Sequence, residues 1–239
     1  MTEHAFRRAG RIIPGRIVCV ADHASNYVPP DIDLGIDAGL LRDHIALDIG
    51  VEGMAEHLAQ KHGLPGHIAA VSRLVCDFNR AEHDRAVVPA VSDGHAIPGN
   101  QGADIEARLA RFHRPYHAGL AAFLAEAKPR LIVALHSFTP ALKSGGAARP
   151  WEVALLYNTD DRAARHAIRL FAGEGFTVGD NQPYSGRDLN ATMDRHAEAS
   201  GVPYLAIEVR QDQIDDRRGQ AHWAAVIAKV AKETLALLD

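Results

Sequence analysis

Residues Ile17–Asn26 read IVCVADHASN, a short β-branched apolar run that stops abruptly at Asp22 and His23. Pro14-Gly15 precede the run and small, polar residues follow it, so Arg16–Ala21 is expected as the first strand. In an open α/β sheet, ligands gather beyond the carboxyl ends of the strands. His23 stands where a site histidine would stand. Alone, it reads first as a hydrogen-bonded loop histidine, and the rest of the chain has to shift that reading.

Working outward, the same pattern recurs. YVPPDIDLG contains Pro29-Pro30 and Gly35, which forbid a regular element. From Asp48 the apolar residues Val51, Met54 and Leu58 recur at helical spacing, with Asp48 as the expected N-cap and Gly63 as the end. His67–Ser72 reads as a second strand, and Leu74–Phe78 as a third or its continuation. The latter ends in Asp77-Phe78-Asn79-Arg80. Residues 81–102, with Pro89, Gly94, Pro98, Gly99 and Gly102, are long for a structureless loop, and such loops are often functional. A covering loop over the site is expected there.

Ala103–Lys128 is helical, with Pro115 expected to kink or divide it. Leu131–Leu135, LIVAL, reads as a strand buried on both faces and ends on His136-Ser137. The glycines of FTPALKSGGAARP suggest a mobile loop. Further strands are expected at Glu152–Tyr157, Phe176–Val178 and Tyr204–Val209, and helices at Asp161–Ala172, Thr192–Ala199 and Arg217–Leu238. Strand and helix alternate without an internal repeat or linker, so residues 1–239 are expected as one α/β domain. Its centre is a doubly wound, mostly parallel sheet.

Composition excludes several functions. The chain has 239 residues, with 47% hydrophobic, 23% charged and a net charge of −4, an ordinary globular balance. Nothing in that charge favours a nucleic-acid or anionic-membrane partner. No apolar run approaches the ~20 residues that span a bilayer. The N-terminal MTEHAFRRAGRIIPGR lacks the apolar core of a secretory signal, and Cys19 and Cys76 both lie inside apolar runs. A cytoplasmic location with free, buried thiols is expected.

Four polar clusters fall at expected strand ends: His23 with Asn26, Asn79 with Arg80, His136, and Glu208. In a parallel sheet all four face one crevice. Two histidines and an oxygen ligand, with a fourth position open to water, make a catalytic zinc site of ordinary composition. A carboxylate outside the ligand set would serve as base toward that water. Glu208 lies within the apolar YLAIEV, where an ionised carboxylate is expensive unless paired. Asn79 and Arg80 suit an oxyanion or a substrate carboxylate.

A competing pair, His113 and His117, lies four apart in FHRPYH, the spacing that aligns two imidazoles on a helix. Pro115 distorts that turn, and the HExxH base is missing. Ser137 has no G-x-S-x-G elbow around it. No phosphate-binding glycine signature occurs.

The ordered set VADHASNYVP, HIALDIGVEGMAEHL, VSRLVCDFNR, FHRPYH, VALHSF, DNQPYSGRD and GVPYLAIEVRQD resembles the N-formylglutamate amidohydrolases over nearly the whole chain. That family is similar in fold to zinc-dependent exopeptidases and aspartoacylase-like deacylases. The resemblance implies a single three-layer α/β/α domain with a mostly parallel, mixed sheet and one divalent metal, Zn2+ by analogy. It implies His23 and His136 as metal ligands, Asn79 and Arg80 for substrate, and Glu208 as general base. The relatives carry H-x-x-E where this chain has H-x-x-N. At the third-ligand position the resemblance implies Asn26, a poorer ligand than a carboxylate, or a carboxylate in its place, with Asp48 in reserve and Asp22 behind it.

The implied reaction is hydrolysis of the N-formyl or another N-acyl amide of an acidic amino acid. Two substrate carboxylates would need Arg80 plus one of Arg73, Arg187 or Arg210, with Tyr184 as a further contact. Rival readings are another N-acyl amino acid or small peptide-like amide as substrate, and a non-catalytic binder of a carboxylate or metal. A structural module is disfavoured, since polar clusters recur at several strand ends.

Overall fold

The computed structural model describes residues 4–141 and 148–238. Part of the loop expected to be mobile lies outside these residues. Seven strands form one sheet in the order β1-β3-β2-β6-β9-β7-β8. They are β1 (Phe6–Ala9), β2 (Ile17–Ala21), β3 (Gly66–Ala69), β6 (Leu131–Phe138), β7 (Val153–Leu156), β8 (Val178–Asp180) and β9 (Tyr204–Arg210). The central run β3-β2-β6-β9 is parallel throughout, so their carboxyl ends share one edge. β1 pairs antiparallel with β3, and β7 antiparallel with β9. The sheet is mixed and mostly parallel, as expected.

Helices cover both faces. α1 (Val51–Lys61), α4 (Arg162–Gly173) and α6 (Arg217–Leu238) pack together on one face. On the other lies α3 (Arg114–Ala127), preceded by a short α2 (Ile105–Arg108) and followed later by α5 (Ala191–His196). Every residue of β2 and β3 is buried, and all of β6 except Ser137. That explains runs such as LIVAL that do not alternate.

Three local expectations need correction. Leu74–Phe78 is no strand: the amides of Val75 and Cys76 both donate to the Ser72 carbonyl, winding the chain into a turn. Its apolar residues reflect burial, not sheet pairing. Asp48 does not cap α1. Gly50 stands at that position with φ +83°, and a Cβ there would lie 2.2 Å from the Ile214 carbonyl oxygen, so only glycine fits. β6 continues through His136 to Phe138 because its pairing with β9 continues to Arg210.

The charged edge strand β1, FRRA, is an element that the apolar pattern does not mark. Its Arg7 reaches Glu52 and Glu56 of α1. Residues 81–102 hold a small hairpin of β4 (Val91–Ser92) and β5 (His95–Ala96) rather than an unstructured loop.

His67 of β3 lies fully buried between the rings of Phe6 and Tyr116, 4.3 and 4.7 Å away. Burial, with Arg8 nearby, pushes its pKa down from 6.5 to about 3. The unfolded chain therefore takes up a proton that the native state refuses. The stability contributed is complete above pH 6.5 and is lost as pH falls toward 3. His67→Phe should keep the ring stack and lessen the stability lost between pH 7.5 and 5 by about 2 kcal/mol. Denaturant titrations of both proteins at the two pH values check this; equal acid sensitivity would remove His67 from the account.

Candidate metal centre and active-site cavity

Three parallel strands and two loops deliver the site. His23 is the second residue beyond the end of β2, His136 is the sixth residue of β6, and Glu208 is the fifth of β9. His136 and Glu208 are register partners on adjacent strands. Asp48 enters from the loop before α1, whose backbone is tied across by the Asp48 amide donating to the His23 carbonyl at 2.8 Å.

Asp48 Oδ2 lies 3.3 Å from His23 Nδ1 and 3.0 Å from His136 Nδ1. One ligand atom from each of the three residues lies within 4.8 Å of the others, and all three side chains are buried. Two imidazoles and a carboxylate converging in this way match the donor set of a catalytic divalent-metal site. Outside the trio, His23 Nε2 meets Asp77 Oδ1 at 2.7 Å. An outer carboxylate of this kind fixes the imidazole's tautomer and leaves the other nitrogen to face a cation. The residues fit a metal.

Charge is balanced locally. Arg73 donates to Asp48 Oδ1 from Nη1 at 3.2 Å and to Asp77 Oδ2 from Nη2 at 2.8 Å. Burial would raise both carboxylates, but the cationic side chains around them hold both well below the usual range. His23 is pulled the other way. Burial and Arg73 lower it, yet Asp77 and Asp48 outweigh them and raise it to about 9.

Glu208 differs from these acids. It is 7% exposed, and its Oε2 has no hydrogen-bond partner among the described residues. Burial foremost pushes it up to about 7. A carboxylate tuned near neutrality beside a polar cavity is a marker of proton-transfer sites.

These groups line a cavity of about 420 Å³, together with Asn79, Arg80, Tyr184 and the hairpin residues Ser92 and Asp93. Asn79 is oriented by the Thr192 amide, which donates to its Oδ1. His44 bridges Asp43 and Asp93 at 2.7 and 2.9 Å on the same wall.

Several expected site residues are elsewhere. Asn26 is exposed and outside the trio; Asp48, the reserve, occupies the position between the imidazoles. The loop after His23 runs on to the surface, so a residue three further along points away. Asp22 accepts from the Tyr116 hydroxyl instead. Arg187 is exposed and borders a neighbouring cavity. Arg210 is spent on Asp212 and on the carbonyls of Arg149 and Trp151. His113 and His117 donate from Nε2 to backbone carbonyls and do not join the trio.

Asp77, His44, Asp93 and Thr192 are further site residues that strand ends and motifs do not mark. The one available signal was Asp77, at the end of the apolar LVC.

Among solved structures, the chain is similar to a gene product of Agrobacterium tumefaciens, with 28% identity and a TM-score of 0.91 over 99% of this chain and 96% of that one. It is also similar to an N-formylglutamate amidohydrolase from Ralstonia eutropha, with 18% identity and a TM-score of 0.74 over 98% of both chains. A bacteriophage poly-gamma-glutamate hydrolase shares the fold at 10% identity and a TM-score of 0.51, covering 100% of this chain and 91% of that one. No curated protein sequence matches. No helix among the described residues is long and apolar enough to cross a membrane. The family model described as N-formylglutamate amidohydrolase matches residues 15–214, and the chain belongs to that family.

Proposed function

We propose that the chain is a metal-dependent amidohydrolase that cleaves the N-formyl, or another N-acyl, amide of an acidic amino acid such as N-formylglutamate. The observation that carries this reading is one cavity joining the buried His23–Asp48–His136 trio to the unpaired carboxylate oxygen of Glu208. A divalent cation, Zn2+ by donor set, held by His23, Asp48 and His136 would polarise the amide carbonyl and acidify water.

Glu208 takes the proton from the attacking water at its carboxylate and delivers it to the leaving amine nitrogen, splitting the amide into formate and the amino acid. Asp77 holds the His23 ring in place. Arg80 takes one substrate carboxylate, and the N–H groups that Arg73 does not spend on Asp48 and Asp77 are available to the second. Asn79 donates from its amide, its carbonyl oxygen being engaged by Thr192. Tyr184 is a side wall of the substrate pocket.

A second reading keeps the chemistry and changes the amino acid. His44 lies between Asp43 and Asp93, and Asp93 lines the cavity beside it, so that wall offers carboxylate acceptors. It favours a substrate side chain ending in a donor. Formate and amine release from a panel of N-formyl and N-acetyl amino acids decides between the two.

Purified protein is expected to contain about one equivalent of a divalent metal per chain and to lose turnover on chelation. It should regain turnover when the metal is restored. Metal-free protein that hydrolyses N-formylglutamate in excess chelator would sink the metal-dependent reading.

A further inference from the structure

The paired histidines of FHRPYH belong to neither the metal trio nor the proton-transfer step, yet both are buried, at 1% and 2% exposure. His113 Nε2 donates to the Arg80 carbonyl at 2.9 Å, and His117 Nε2 donates to the Phe78 carbonyl at 3.0 Å. These carbonyls flank Asn79. Thr192 adds a second donor, from Oγ1, to the Phe78 carbonyl. His196 Nε2 lies 2.9 Å from His117 Nδ1. The Phe78 carbonyl accepts only, so His117 carries its proton on Nε2, and His196 is the donor to Nδ1.

The helix is shaped for this purpose. Between α2 and α3 the chain runs through one π-helical turn, Leu109–His113, and Pro115 sits in the first turn of α3. A π-turn inserts one residue, which rotates the following helix by roughly 100° relative to the preceding one. That rotation lets His113, the last π residue, and His117, one turn into α3, meet the same short stretch of chain. The stretch needs holding. Residues 77–80 form no sheet ladder, and without side-chain clamps their carbonyls would have only water or strain as alternatives.

We propose that His113 and His117 are positioning residues for recognition of the substrate carboxylate: by fixing the carbonyls of Phe78 and Arg80 they set where the Asn79 and Arg80 side chains stand in the cavity. The inference rests on the reading of Arg80 as the carboxylate contact. It differs from a plain core-packing role in what it expects. A packing defect weakens every substrate alike. A displaced guanidinium weakens only substrates that carry the carboxylate.

The test compares an N-formyl amino acid with its methyl ester in wild type, His113→Leu, His117→Leu, His113→Gln, His117→Gln and Arg80→Met. Glutamine returns an N–H near the position of Nε2. Where the ester is turned over too slowly, its inhibition constant as a competitor replaces KM. The leucine variants should raise KM for the carboxylate substrate about tenfold, with kcat within about twofold, since uniform binding is what is lost. The ester should change by less than about twofold, and each glutamine variant should recover most of the carboxylate KM.

Where a leucine variant fails to fold, the His→Asn variant at that position, polar but too short to reach the carbonyl, takes its place. Equal losses for acid and ester overturn the inference, as does a glutamine variant no better than leucine. If Arg80→Met fails to separate acid from ester while the histidine variants still separate them, the Arg80 reading falls and the positioning stands through Asn79.

Discussion

Glu208→Gln should retain metal and substrate binding and lose turnover, with kcat falling by about 10²–10⁴-fold, the range supplied by a general acid or base. KM should stay within about twofold, because the lost interaction belongs to the transition state. Folding stability should not fall. The wild-type carboxylate is buried with an unpaired oxygen, and a neutral amide costs less to bury than an ionised acid. That sign matters: loss of activity with unchanged or higher Tm cannot be blamed on misfolding.

The wild-type pH profile supplies a second check. Glu208 must be ionised to accept a proton, and burial raises it to about 7, so kcat/KM should fall as pH drops below that value. An ordinary carboxylate would hold the rate down to about pH 4.3. Near-normal turnover of Glu208→Gln would remove Glu208 from the base role.

The second large effect concerns Asp48. Asp48→Asn should cost metal affinity more than the roughly 10–100-fold typical of losing an outer partner, and turnover with it, whereas Asn26→Ala should leave both near wild type. Asp48 also offsets Arg73 and lies against His23, and breaking a buried ion pair destabilises by about 3–5 kcal/mol. Asparagine is preferred to alanine because it keeps the shape and one acceptor. Metal content by elemental analysis, beside Tm, separates lost affinity from lost fold. Full metal content in Asp48→Asn, or its loss in Asn26→Ala, would reverse the assignment.

The contrast between Asn26 and Asp48 shows where sequence reasoning runs out. The strand ends were legible because an apolar run that stops on His23, His136 or Glu208 is a one-dimensional signal, and the parallel central strands bring those ends together. Asp48 carried no such signal. Its place depends on a loop closure 25 residues from His23 in sequence, and helix capping is the role that local chemistry suggests for an aspartate there. Arg210 shows the same limit. An arginine near a strand end reads as a substrate clamp, but nearby acids and carbonyls decide which way it points.

Apolar character misled at Leu74–Phe78, where burial comes from a turn tucked beneath the site. The charged FRRA of β1 gave no periodic signal, since an edge strand needs less apolar surface. The π-turn is invisible to a helical periodicity count, although Pro115 marked the right neighbourhood.

The pairing of His136 with Glu208 across β6 and β9 has a consequence for engineering and for divergence. Their separation is set by the backbone ladder, so neither loop length nor side-chain flexibility tunes it. A one-residue deletion inside either strand would turn one of the two groups to the opposite face. Arg80, Ser92, Asp93 and Tyr184 all sit on connections outside that ladder. Substrate choice is therefore open to loop exchange while the reacting pair stays put, and a chimera that swaps residues 81–102 should inherit a new preference without rebuilding the chemistry.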